Sequence, residues 1–234
     1  MKHLKSIHTH SLDFWYARLA VVVIAALQLA IVNRQFVVGP RGLFPALEGL
    51  LLVPLAFATA WAQQQVRDAE TDAHWETIAR HRRWIRRAAI ALTALISIGN
   101  FFALIALVSV LLGGHAKIEG VSLLLDAMNI WLTNVIAFSL WYWSIDRGGP
   151  PSSHLCIFDK DDFLFPQMQI DQLRDCWSPG FVDYLYLSFT NATAFSPTDT
   201  LPLTARAKLL MMTESAVSLL TLALVAARAV NILA

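Results

Sequence analysis

Apolar residues in this chain fall in long runs, separated by short polar segments. Phe14–Asn33, Leu43–Gln63, Ala88–Leu112, Val121–Ile145 and Leu203–Leu233 are the main ones. A helix needs about 20 apolar residues to cross a hydrocarbon core of roughly 30 Å. The pattern therefore predicts an all-α membrane protein with five transmembrane helices. Trp15 and Tyr16, Trp61, Trp84, and the cluster Trp141, Tyr142 and Trp143 stand near run ends, where aromatic side chains anchor at the membrane–water interface. Arg18, one turn inside the first run, can snorkel back to the headgroups.

Between the second and third runs, "QQVRDAETDAHWETIARHRRWIRR" places acids early and arginines late. It predicts a cytoplasmic helix that continues into the third span. After the fourth run "DRGGPPSS" ends the helix, and a loop rich in Phe, Leu and Trp follows. That loop is too polar to span and is expected to fold against the membrane surface or another subunit. The basic start of the chain could pass for a signal peptide. The apolar run after it is long and no small-residue cleavage pattern follows, so it is expected to stay as the first span.

Composition agrees with the pattern. The chain has 234 residues, 56% hydrophobic and 15% charged, and a mean hydropathy of +0.53. A soluble domain carries about 25% charge. Net charge is +1, with no basic tract fit for nucleic acid, which sets that class aside. The Lys and Arg distribution gives direction. Lys2, Lys5, Arg67, Arg80, Arg82, Arg83, Arg86, Arg87, Arg147, Lys160, Arg174, Arg206 and Lys208 fall on one side; Arg34, Arg41, Lys117 and Arg228 fall on the other. The positive-inside rule puts the N-terminus in the cytoplasm and the C-terminus outside.

Ionisable and amide side chains inside spans are costly and usually face a partner or a cavity. Asp126, Asn129 and Thr133 share one face of the fourth span, with Asn134 adjoining. Glu214, Ser218, Thr221 and Arg228 share one face of the last. Two such stripes suit a water-lined path or a helix–helix seam. Glu214 stands out because it lies near mid-depth and Arg228 is too far along the helix to pair with it. Glu48 and Asn100 read as seam or packing residues.

The stretch "DYLYLSFTNATAFSPTDTLPLTARAK", residues 183–208, resembles the pore module of tetrameric, potassium-type cation channels. There an aromatic pore helix leads to a filter, an Asp, a Pro and then the inner helix. The resemblance divides the chain into an N-terminal three-span region, 1–120, with a basic linker 64–87, and a pore-like module, 121–234. The module would hold an outer helix 121–145, a polar loop 146–180, a re-entrant helix and loop 181–202 and an inner helix 203–233. The chain is also similar to a family of multi-span bacterial inner-membrane proteins with an "SFT…SDT" segment before a last helix ending in "VN". That family brings no activity with it, and it implies the bacterial inner membrane as location.

The filter position reads Ala194, Phe195, Ser196, Pro197, Thr198, without the glycines of a potassium filter. Glycine permits the left-handed backbone that stacks carbonyls inward. Pro197 fixes its own φ and pushes Ser196 toward extended geometry. A carbonyl ladder is thus not expected. The remaining polar groups, Thr190, Asn191, Thr193, Ser196, Thr198 and Asp199, could form a ring around an axis, with Phe195 as a constriction. The competing reading makes "SPTD" a helix start, with Ser196 as cap and Asp199 serving the helix dipole.

The expected function is a weakly selective, cation-favouring pore, a homo-oligomer and by resemblance a tetramer, conducting monovalent ions across the lipid bilayer. Its path would involve Thr190, Asn191, Thr193, Phe195, Ser196, Thr198, Asp199, Glu214, Ser218 and Thr221. The alternative is a non-conducting structural or regulatory membrane protein with the same fold. No phosphate loop, nucleophile elbow or metal-ligand spacing is present, so no enzyme activity, cofactor or metal is expected. Cys156 and Cys176 would be reduced thiols on the cytoplasmic side or could pair on the periplasmic side.

Overall fold

The computed structural model describes residues 2–31, 46–50, 52–53, 57, 72–113, 120–146, 161–172, 177–193 and 199–233. They form helices α1 (Lys2–Ala30), α2 (Asp72–Gly113), α3 (Gly120–Ile145), α4 (Phe181–Thr193) and α5 (Ala205–Leu233). Two short strands, β1 (Phe163–Leu164) and β2 (Leu201–Pro202), pair antiparallel, with Phe163 opposite Pro202. A 3-10 turn covers Pro166–Gln169. Residues 46–50, in the second predicted span, are helical; most of that span lies outside the described residues.

Three helical stretches are long and apolar enough to cross a membrane: Trp84–Val110, Val121–Ile145 and Ala205–Ala227, of 27, 25 and 23 residues. The first apolar stretch, Trp15–Ala30, is shorter. As the basic segment suggested, α2 runs unbroken from Asp72 into its apolar part.

All four other helices pack on α3. Ala17, Val21 and Ile24 of α1 and Leu92 and Ile96 of α2 meet Ala137 and Leu140 near one end of α3. Toward the other end, Leu104 and Leu107 of α2 and Ile31 beyond α1 meet Leu123, Ala127 and Ile130. Contacts thus advance along α1 and α2 as they recede along α3, so both run antiparallel to it. α5 does the same: Ala207 clusters with Tyr142, and Val217 and Leu224 pack beside Ile130. α1, α2 and α5 are therefore parallel, with their N-terminal ends at the Ile145 end of α3.

α4 is wedged between α3 and α5. Its first residue, Phe181, meets Trp143 edge-on at 5.6 Å between ring centres, and Phe189 meets Trp131 at 5.9 Å. At 1.5 Å per residue it covers about 20 Å, moving away from the Ile145 end. The chain is back at that end by β2. The start of α4 and β2 therefore both lie at the Ile145 end of α3.

A buried polar node fastens this return. Asp146 Oδ1 accepts from the backbone N–H of Asp162 at 2.7 Å and of Phe163 at 3.3 Å, and Oδ2 accepts from the Tyr184 hydroxyl at 2.5 Å. Asp162 in turn accepts from Thr204 Oγ1, and from Arg206 Nε and Nη2 at 2.6 Å each. A forked guanidinium–carboxylate pair fixes orientation as well as distance. Phe163 and Phe165 bury their rings between Tyr142, Tyr184 and Trp177 around the node.

Two sequence expectations change here. "SPTD" does not start the last helix: α5 begins at Ala205, and Thr204 caps it by accepting the Ala207 N–H at 3.3 Å. Leu201 and Pro202, which would have lain in its first turns, pair instead with β1. Nor is Tyr142 an interfacial anchor. It is fully buried, because its hydroxyl has an acceptor in the interior, whereas Trp15 and Trp84 are exposed, as the aromatic-belt reading expects.

Candidate functional site

The N-terminus of α4 is built from two carboxylate contacts. Asp183 reaches back to the Gly180 N–H at 2.7 Å, the acidic form of a capping box. Asp13 of α1 accepts the Phe181 N–H at 3.2 Å. A Cβ on Gly180 would stand 2.7 Å from Asp13 Oδ1, so a larger residue there would push the Asp13 carboxylate from its place over the Phe181 N–H. Burial pushes the Asp183 carboxyl above its usual range, opposed by the Gly180 amide and reinforced by the neighbouring Asp13.

So anchored, α4 turns Phe181, Tyr184, Leu187, Ser188 and Ala192 inward. Ser188 and Asn191 then meet Glu214 of α5, which is wholly buried. Its Oε1 faces Ser188 Oγ, and its Oε2 accepts from Tyr142 Oη and from Asn191 Nδ2, the latter at 2.7 Å. Asn191 also donates to the Met211 carbonyl at 3.0 Å, and Ser215 Oγ donates to Asn191 Oδ1 at 3.1 Å. One carboxyl thus joins α3, α4 and α5. Ser188 Oγ also faces the Val135 carbonyl at 2.6 Å. A hydroxyl has one proton to give, and Ser188 has this carbonyl and Glu214 Oε1 both within reach.

Two turns of α3 away, Asn134 Nδ2 donates to Ser218 Oγ at 3.0 Å. Thr221 is buried and bonds its own helix at Val217. The structure therefore brings Asn191, Glu214, Ser218 and Thr221 of the expected path into one seam inside the protomer. Thr190 and Thr193 spend their hydroxyls on carbonyls of α4 itself. Asp199 is exposed, away from the seam. Phe195, Ser196 and Thr198, with Cys156 and Cys176, lie outside the described residues, as does the side chain of Arg228.

The α3 stripe divides between two neighbours. Asp126, Asn129 and Thr133 are all buried, but Asn129 donates to the Leu27 carbonyl of α1 at 2.7 Å, while Asn134 faces α5. A cavity of about 380 Å³ lies between α2, α3 and α5, where Asn100 and Asn134 sit among Phe101, Phe102, Phe138 and Val217. Its walls are mainly aromatic and aliphatic, so it offers a bare ion few ligands. Among the described residues no group of three His, Cys, Asp or Glu side chains could hold a metal.

Sequence reasoning missed Tyr142, Ser188, Asp13, Asp146 and Asp162. Tyr142 sat in an aromatic cluster at a span end and Ser188 inside an aromatic helix. The three aspartates lie outside the apolar runs, where an acid is ordinary. Their pairing is set by contacts distant in sequence, from 16 to 168 residues apart.

No family model matches the chain, and comparison with curated proteins and with solved structures finds no match either.

Proposed function

We propose that the protein is a multi-pass membrane protein whose copies assemble around an axis into a weakly selective, cation-favouring pore, with α4 and the segment after it as a re-entrant hairpin. The observation that supports this reading is the placement of α4: a short helix between two crossing helices, with its start and β2 both at one side of the bundle. Non-helical backbone within the hydrocarbon is tolerated only when buried in protein or lining water. At about 20 Å against a core of roughly 30 Å, α4 ends at depth, so its tip needs a second copy or water beside it.

Exposure favours both. Only 17% of the crossing stretch of α5 is buried within the protomer, against 56% of that of α3. On α4, Val182, Tyr186 and Phe189 form an exposed stripe at helical spacing, on the face away from Glu214. Asp199 is exposed two residues before β2. The path would run along Asp199 and residues 194–198, and Glu214 would hold the hairpin in place without touching the ion. Helix direction supports five crossings, since α1 and α2 are parallel and the chain between them must return. The positive-inside bias then places the Ile145 end in the cytoplasm.

The second reading, a non-conducting structural protein, is favoured by the inward turn of Glu214, Ser218 and Thr221. Two measurements separate them. The mass of the detergent-solubilised particle is expected to be that of several copies; a monomer removes the axis. Liposomes containing the protein are expected to pass potassium and sodium faster than chloride, with the preference reduced by Asp199→Ala. Absence of flux from an assembled oligomer selects the structural reading.

A further inference from the structure

At the opposite end of α1 from the hairpin lies a layer of polar side chains that the pore reading does not use. Gln28 continues the core-facing stripe Val21, Ile24 and Ile31 of the first helix. Its Nε2 donates to Glu48 Oε1 at 2.7 Å. Glu48 is wholly buried. Asn129 of α3 donates its Nδ2 to the carbonyl of Leu27, the residue before Gln28, at 2.7 Å. Both amides have their orientation set by the bond they donate. The oxygens left over are Glu48 Oε2, Gln28 Oε1 and Asn129 Oδ1, all buried and, among the described residues, without a donor.

A proton on Glu48 would satisfy Oε2 and at most one of the two amide oxygens, leaving the other unmet, whereas one cation among the three would serve them all. A buried polar atom lacking its partner costs about 1–3 kcal/mol, more for a charged group. α1 ends at Ala30, and the Asn129 bond to the Leu27 carbonyl sets this layer beside its last turn, at the negative end of the helix dipole. Helix C-terminal ends and carboxylates are what hold small cations at membrane depth in transport proteins generally. The formal charge of the three side chains is that of one carboxylate. A single positive charge neutralises it; a divalent ion would leave an excess in apolar surroundings.

We infer that Glu48, Gln28 and Asn129 form a binding site for a monovalent alkali cation, seated between the C-terminal end of α1, the helical residues 46–50 and α3. All of its side-chain ligands are hard oxygens, which suits sodium or potassium and not a soft transition metal. The site is separate from the α3–α4–α5 seam and does not depend on whether the protein conducts.

The test uses the full chain in detergent, at fixed pH and ionic strength, in sodium chloride, potassium chloride or N-methylglucamine chloride. A ligand that binds only the folded state raises the unfolding midpoint saturably. Sodium or potassium is expected to raise it by a few degrees over the organic cation. Glu48→Gln, which keeps shape and removes the charge, is expected to lose that rise. Asn129→Ala is expected to keep it at higher half-saturating salt. Equal midpoints in the three salts would mean that water fills the layer, and would overturn the site. So would a rise of equal size in wild type and Glu48→Gln, which marks a general salt effect. If Glu48→Gln does not fold, Asn129→Ala decides: a half-saturating salt concentration unchanged from wild type would overturn the site.

Discussion

Glu214 draws donors from two other helices, and its variants separate shape from proton supply. Glu214→Ala leaves Tyr142 and Asn191 without their acceptor and opens a cavity. Polar contacts between membrane helices are worth about 0.6 kcal/mol on average and up to about 1.7. With stranded buried groups added, Glu214→Ala is expected to lower stability by about 2–4 kcal/mol. Glu214→Gln keeps an oxygen for Tyr142 and an N–H for Ser188, and is expected to cost less than half as much. Tyr142→Phe removes one donor and is expected to cost about 1 kcal/mol. Unfolding titrations of the purified protein in mixed micelles read all three. Glu214 was conspicuous from sequence alone, since an acid inside an apolar run is rare. Its partners were not: Ser188 and Tyr142 are ordinary in their own segments, and only the fold brings them to the acid.

Among the elements, α4 depends most on contacts remote in sequence. Its place was legible from the aromatic stretch, which sets a short helix within residues 181–202, and the observed helix spans Phe181–Thr193. Its anchoring was not legible, because Asp13 lies 168 residues away from Phe181. Gly180→Ala is expected to destabilise by about 1–3 kcal/mol, as overpacking does, since its new methyl would meet the Asp13 carboxylate. Asp13→Ala removes a cap and is expected to cost about 1 kcal/mol. The pair shares one space, so the double variant is expected to be less destabilised than the sum of the two. A double-mutant cycle on thermal midpoints checks this, and simple additivity would mean that the two residues do not meet. The start of α5 shows the opposite failure of local reading. "SPTD" has good cap chemistry, yet pairing with β1 moves the helix start to Thr204.

For the whole molecule, hydropathy carried most of what sequence could give. It found the three long crossing stretches and placed the shorter apolar part of α1. It could not give helix neighbours, because apolar faces in a membrane protein look alike whether they meet lipid or protein. Direction comes from packing: α1, α2 and α5 run one way and α3 the other. Single cysteines near the N-terminus and at Ser152 are therefore expected to react with an impermeant thiol reagent from one side of sealed vesicles. Cysteines at Lys117 and at the C-terminus are expected to react from the other. Labelling of the N-terminus and Lys117 from the same side would refute the helix directions described above.

The order of the seam along the chain has a consequence for biogenesis. Tyr142, Ser188 and Asn191 are all synthesised before Glu214, the group that joins them. Until α5 follows, α4 is held to α3 by the Ser188 bond to the Val135 carbonyl, the Tyr184 bond to Asp146 and the ring contacts of Phe181 and Phe189. The carboxyl that ties all three helices together is thus added last, and the final helix locks a pairing already begun. A ribosome pausing ahead of residue 214 would leave α3 and α4 paired, with Tyr142 and Asn191 still lacking their shared acceptor.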